Sequence, residues 1–506
     1  MSNVSKTIIL HPNDDVAIAR VPIPAGYVIE EKNVTVQSEI KEGHKIALHD
    51  IAPEQPLKRY NQIIGYASRA IKAGEHVHLQ NLKMGGYGQV YDFCVDKRDT
   101  PKPTEKRTFK GYKRANGKVG TRNYIGILTS VNCSATVARS IEDHFKTRGL
   151  EDFVNIDGIV ALPQSFGCAV DMKGDLMNIM RRTMSGYANH PNFAGILIVG
   201  LGCESNQIKD LIQVEGLNES VMLQHMTIQE TGGSQKTFDK GVQIIESMLV
   251  EANKCTREEV PASELILALE CGGSDSYSGI SANPALGVAV DLLVQQGGTA
   301  ILAETPEIYG AEYILTRRAV SPEIGQKLVN RILWWEDYAK RCNAELNNNP
   351  SAGNKEGGLT TILEKSLGAI CKAGSTNLVD VYEYAEPVEA KGLVFMDTPG
   401  YDAIACTGQI AGGSNVMCFT TGRGSAYGAK PTPCIKIASN NFLWKRQEDD
   451  MDINCGDVAD GKETLESAGK RIFEMILAVA SGEKTKSEKF GYGSLEFVPW
   501  QPGAIM

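Results

Sequence analysis

Gly195-Ile196-Leu197-Ile198-Val199-Gly200-Leu201-Gly202-Cys203-Glu204 is an apolar run that breaks on two glycines, a cysteine and a glutamate. Four successive large apolar residues, three of them β-branched and none alternating with a polar one, fit a strand buried on both faces. The pattern recurs. Residues 124–128 end on Thr129-Ser130-Val131-Asn132-Cys133, and residues 158–162 lead to Ser165-Phe166-Gly167-Cys168. Residues 265–269 run into Glu270-Cys271-Gly272-Gly273-Ser274-Asp275, and residues 299–302 form another short apolar run. Amphipathic segments of helical length follow most of these runs, at 136–145, 173–184, 235–252, 284–296 and 308–317. Strand-then-helix alternation of this kind predicts a mostly parallel sheet with covering helices.

The pattern starts near Gly111 and is interrupted by a polar stretch at 343–358. A last block begins at 392–396 and continues through 415–419 and 435–438 to a long helix expected over 462–480. Residues 1–95 read differently. Short runs at 7–10, 16–21, 45–48, 62–67 and 76–82 are separated by turn residues such as Pro24-Ala25-Gly26, Glu42-Gly43 and Ala73-Gly74, which predicts a small all-β module. Between them, residues 96–110 carry Pro101, Pro103 and many charges with no apolar period, as a linker does. The expected chain is multidomain α/β: an all-β domain over 1–95, a linker over 96–110, a main α/β domain over 111–390 and a C-terminal α/β domain over 391–506.

Composition narrows the functional classes. With 506 residues, 42% hydrophobic and 22% charged, the chain reads as a soluble globular protein. Its 52 Lys+Arg against 61 Asp+Glu give a net charge of −9, which argues against nucleic acid as a partner. Twelve cysteines are too dilute for a disulfide scaffold, and no Cys-x-x-Cys pair occurs, so reduced thiols and a cytoplasmic location are expected. The first residues lack the basic start and long apolar core of a signal peptide, and the longest apolar run, 193–201, is half a membrane span.

Ligands of open parallel sheets bind where the strands end. Cys133, Cys168, Cys203 and Cys271 all fall just after expected strands, the first three spaced 35 residues apart. Thiolates gathered there suit iron, an iron–sulfur cluster or zinc. The plainer reading is a small residue that tolerates tight turns. The Gly200-Leu201-Gly202 start lacks the third glycine and the later acidic residue of a dinucleotide site. Ser274 and Asp275 offer a hydroxyl and a carboxylate, or a helix cap. The loop from Asn349 to Gly358, with Asn354 and Lys355, reads either as an anion site or as a mobile surface loop. Arg423, between two glycines at a strand end, is placed to fork onto a carboxylate. Five of the eight histidines lie in the first 80 residues. His76 and His78 share one strand face, where imidazoles bind a divalent metal or move protons, unless they are ordinary surface residues.

Taken together these strings resemble the altronate/galactarate dehydratase family of sugar-acid hydro-lyases. Gly43-His44-Lys45 and Gly74-Glu75-His76-Val77-His78 are similar to its N-terminal SAF (β-clip) domain. Asn116-Gly117-Lys118-Val119-Gly120-Thr121-Arg122-Asn123 resembles the opening of its main domain, and the stretches 200–204, 270–275, 350–358 and 421–424 resemble later blocks. His76-Val77-His78 is closer to the altronate branch, and Met451-Asp452-Ile453-Asn454 to the galactarate branch. Sulfolactate lyases share the family but are split into two subunits, unlike this fused chain. The resemblance implies activation by ferrous iron or another divalent metal. It also implies dehydration of a sugar acid, altronate first, to a 2-keto-3-deoxy acid by α-proton abstraction and loss of the 3-hydroxyl. Galactarate or another hexonate is the alternative substrate, and a sugar-acid-binding regulator the non-enzymatic one. On this reading His44, His76, His78, Lys45 and Glu204 are the catalytic candidates, and Ser274, Asp275, Asn354, Lys355 and Arg423 bind substrate. Cys133, Cys168, Cys203 and Cys271 hold or neighbour the iron. The partner is a small-molecule sugar acid, with no membrane partner, and a homo-oligomer is left open.

Overall fold

The computed structural model describes residues 5–85 and 90–502. Residues 5–85 build the expected all-β module. One antiparallel sheet runs in the order Thr7–Ile8, Val16–Ala19, Lys45–Ala47, His76–Val77, and a second joins Pro56–Arg59, Gln62–Ala67 and Leu82–Lys83. Strands this short need sharp turns. Gly74 supplies one at φ +80°, where a Cβ would lie 1.9 Å from the Thr35 carbonyl oxygen, so no other residue fits. The chain that follows is tied down along a later domain: the Cys94 and Asp96 amides donate to the carbonyls of Thr316 and Arg317, and Arg317 pairs with Asp92 and Asp96.

Two parallel sheets follow. The first has four strands in the order Gly158–Leu162, Tyr124–Thr129, Phe193–Gly200, Leu223–Thr227. Helices Ala135–Arg148, Asp175–Ala188 and Ser234–Ala252 cover it. The second has seven strands in the order Leu378–Tyr382, Gly392–Met396, Thr299–Leu302, Ile266–Cys271, Val416–Thr421, Cys434–Ala438, Ile453–Asn454, all parallel. Almost every residue of its central strands is buried, which explains the unalternating apolar runs in the sequence. Helices Ala282–Gln295 and Leu465–Ala480 pack together on this sheet. A Cβ on Gly469 would meet the Val288 side chain at 2.4 Å, so the glycine sets how closely they approach.

Two expectations are corrected. The boundary expected between 390 and 391 falls inside the seven-stranded sheet, separating Leu378–Tyr382 from its direct partner Gly392–Met396. The two parallel sheets part instead at the short strand Glu258–Pro261, which pairs back onto Thr108–Lys113. The helix expected over 308–317 is only the single turn Tyr313–Thr316, whereas a 20-residue helix, Pro322–Arg341, begins just after it. Ser321 caps that helix by accepting from the Ile324 amide, with Pro322 at its first position. Among the described residues no helix is long and apolar enough to cross a membrane.

Candidate active site at the domain interface

The N-terminal module brings three imidazoles together. Antiparallel pairing sets Ile46 opposite His76 and Lys45 opposite Val77, so continuing the register places His44 opposite His78. The rings of His44 and His78 lie 4.9 Å apart, those of His44 and His76 5.1 Å, and those of His76 and His78 5.5 Å. One ligand nitrogen from each lies within 4.8 Å of the others. His44 Nδ1 is 3.0 Å from His76 Nε2, and His44 Nε2 reaches the Glu356 carbonyl at 3.1 Å. His78 Nδ1 is buried without a hydrogen-bond partner. Burial pushes all three imidazoles below the usual histidine range, with nearby Lys45 adding to it: His76 to about 4 and His78 to about 3. Neutral rings with converging lone pairs, one of them orphaned, suit a divalent transition metal.

A buried lock holds this module against the seven-stranded domain. Glu364, on the wholly buried helix Ile362–Ala369, accepts from Lys45 Nζ at 2.9 Å and Arg59 Nη1 at 2.6 Å. Burial alone would raise the Glu364 carboxyl, but the two cations more than reverse this and hold it at about 2. Lys45 is therefore engaged in the lock.

The 349–358 loop lies over the end of strand Ile266–Cys271. It is ordered as a short helix, Ala352–Glu356, with a capping box between Ser351 and Asn354, so the mobile-loop reading is corrected. Asn354 is spent there: its Oδ1 accepts from Ser351 and its Nδ2 donates to the Ser274 carbonyl. Asp275 is spent too. Its carboxylate accepts from the Tyr277 and Ser278 amides and from the side chains of Ser278, Ser439 and Asn440. Ser274 Oγ, by contrast, is buried without a partner and lines a small cavity with Tyr60, Glu364 and Lys365. Arg423, just after strand Val416–Thr421, donates to Glu356 at 2.8 Å, the residue whose carbonyl meets His44, and Lys355 is half-buried one residue away.

A second buried cluster gathers carboxylates around Cys271, the one member the sequence marks as a metal candidate. Ligand oxygens of Glu270, Glu304 and Asp402 lie within 4.8 Å of one another, as do the donors of Cys271, Glu304 and Glu307. Lys372 donates to Cys271 Sγ at 2.9 Å, and Lys365 pairs with Glu307. Burial first, and then the neighbouring carboxylates, raise Glu304 to about 7 and Asp402 to about 6. Such groups hold protons near neutrality. The available signal was acidic residues at the ends of three sheet strands.

The four cysteines expected on one edge divide between the two sheets. Cys271 is buried beneath the loop, where burial pushes its thiol up to about 12 and Lys372 Nζ donates to its sulfur at 2.9 Å. Cys133, Cys168 and Cys203 are exposed at the end of the four-stranded sheet. Glu204 belongs with them, not with the histidines: it accepts from Ser130 Oγ at 2.5 Å and from the amides of Leu201 and Gly202.

Comparison with known proteins covers all three parts. Residues 5–85 match the altronate/galactarate dehydratase SAF domain. Residues 111–253 match the second domain of D-galactarate dehydratase/altronate hydrolase, and 262–505 the C-terminal part of D-galactarate/altronate dehydratase. Among whole proteins, the altronate dehydratase of Bacillus subtilis is 35% identical over 96% of this chain and 97% of its own length. The galactarate dehydratase (L-threo-forming) of Escherichia coli is 37% identical over 95% of this chain and 94% of its own. The altronate dehydratase of Escherichia coli is 34% identical over 96% and 97%. The chain therefore belongs to the altronate/galactarate dehydratase family and is a hydro-lyase of the sugar-acid dehydratase type.

Proposed function

We propose that this chain dehydrates altronate to its 2-keto-3-deoxy acid, with galactarate as the second candidate, and that the reaction depends on a divalent metal, ferrous iron first. The observation that carries the reading is the His44, His76 and His78 cluster, set where the SAF module meets the loop that bears Glu356 and faces Arg423. The orphaned Nδ1 of His78 fits the metal. His44, His76 and His78 would hold it, and once bound it supplies a positive charge that stabilises the enediolate form of the substrate.

The chain's own groups do the rest. Arg423 and Lys355 bind the carboxylate of the substrate, and the free Ser274 hydroxyl takes one of its hydroxyls. The imidazoles, kept neutral by burial, offer at pH 7 the lone pairs that a divalent metal takes. The lock of Glu364 with Lys45 and Arg59 keeps the module seated, so the imidazoles stay in register with the loop. The relatives are nearly equal in identity, so altronate is placed first on His76-Val77-His78. Twelve free thiols suit the reducing cytoplasm. The test is turnover of iron-loaded protein on a panel of aldonates and aldarates. A keto-deoxy acid from altronate is expected, and product from galactarate alone would move the assignment.

A further inference from the structure

We propose that Cys133, Cys168 and Cys203 form the seat of a [4Fe–4S] cluster at the loop end of the four-stranded sheet. The first argument is placement. Strands Gly158–Leu162, Tyr124–Thr129 and Phe193–Gly200 are direct neighbours, with Leu128 paired to Leu162 and Thr129 to Val199. Their chains leave the sheet side by side, at the ~4.8 Å spacing of paired strands.

The three loops are then fastened to one another. The Asn132 amide donates to the Phe166 carbonyl at 3.2 Å, and the Asn206 amide to the Gly167 carbonyl at 3.2 Å. Ser130 Oγ donates to Glu204 at 2.5 Å. Gly167, at φ +123°, passes so close to Ser130 that a Cβ would sit 2.2 Å from its carbonyl oxygen. Cys168 follows this contact directly, and Ala169 holds a positive φ of 53° just beyond it. Such backbone strain persists only when the surroundings enforce it.

Packing does not account for these thiols. Cys271, Cys406, Cys418, Cys434 and Cys455 are buried, as a small apolar filler should be, whereas Cys133, Cys168 and Cys203 are exposed. Nor does a single ion suit them. The three are not among the donor groups that lie within 4.8 Å of one another, and two thiolates on one zinc stand at most about 4.6 Å apart. A cubane cluster places each thiolate on a separate iron, so its thiolates stand further apart than those on one ion.

The surroundings suit an anionic group. Arg181 is buried with its Nη2 unpartnered, and its Nε points to the Asn206 side chain that braces the same loops. Helix Ala135–Arg148 starts two residues after Cys133, so that residue sits at the helix's positive end. The balance is simple. Two ferrous ions, two ferric ions and four sulfides combine with three thiolates, whose protons leave to solvent. The complex carries one net negative charge, and the fourth iron is left open to water or a ligand oxygen.

This inference does not rest on the proposed substrate or on the histidine metal. The test is anaerobic reconstitution of the full chain with equal ferrous and ferric salts plus sulfide, followed by iron and acid-labile sulfide analysis. About four of each per chain and broad visible absorption are expected. Cys133→Ser, Cys168→Ser and Cys203→Ser should each lose the sulfide, and the exposed control Cys342→Ser should keep it. On the unsubstituted protein, iodoacetamide should label the three thiols before reconstitution and not after. Wild-type protein that takes up no sulfide, sulfide retained in the triple serine variant, or unchanged labelling would each overturn the cluster. Iron bound at the histidines brings no sulfide, so a failure here is distinguishable from a failure of the proposed function.

Discussion

His44 Nδ1 stands 3.0 Å from His76 Nε2, across two strands whose pairing also brings His78 onto the same face. A contact this short between two imidazoles held neutral by burial brings their nitrogens together where one cation would engage both. His78→Ala removes the third donor and leaves the fold of the module intact, because His78 lies beyond the end of strand His76–Val77. The variant should lose tightly bound iron, measured by elemental analysis after desalting, and at least about 100-fold in turnover, the upper end of what even outer-sphere partners of a metal cost. Full iron content in this variant would remove the triad from the account.

The triad also predicts a pH effect in metal-free protein. With His76 pushed down to about 4 and His78 to about 3, the unfolded chain takes up protons before the folded one as pH falls below about 6.5. Stability is fully present above that value and is lost as pH falls towards the folded values, then levels off. The urea midpoint should drop between pH 7.5 and 4.5, and His76→Asn with His78→Asn should shrink the drop. Equal drops in both proteins would contradict it.

Glu364 is the keystone of the domain contact. Glu364→Gln leaves Lys45 and Arg59 buried with no carboxylate between them, at a cost of about 3–5 kcal/mol. Urea unfolding and proteolysis near residue 85 should both show it. Loss of less than about 1 kcal/mol, the worth of a surface pair, would mean the lock is idle.

Arg423 sits at the exposed rim, paired with Glu356. Arg423→Ala should raise KM for a sugar acid by about tenfold or more, the worth of a charged hydrogen bond, with a smaller change in kcat. An unchanged KM would move the carboxylate elsewhere.

The parallel strands were legible because strands buried on both faces carry no polar alternation, as in 195–199. The histidine site was half legible. His76 and His78 share a face by strand period alone, but the approach of His44 depends on the register with strand Lys45–Ala47, which local pattern does not specify. Asp275 and Asn354 looked like ligand groups because their types suit both binding and capping, and only their hydrogen-bond partners in the fold show them consumed. Glu364, Lys365, Glu304 and Asp402 were invisible for the opposite reason. Charged residues on a helix or strand end read as solvated, and burial with opposite charges is a tertiary fact.

The most direct test is product formation by protein stripped of metal and then supplied with ferrous iron under anaerobic conditions, using altronate and galactarate in parallel. The account predicts a 2-keto-3-deoxy acid only when iron is present, and none from the variant lacking His44, His76 and His78. Equal turnover with and without metal, or full activity in that triple variant, would contradict it.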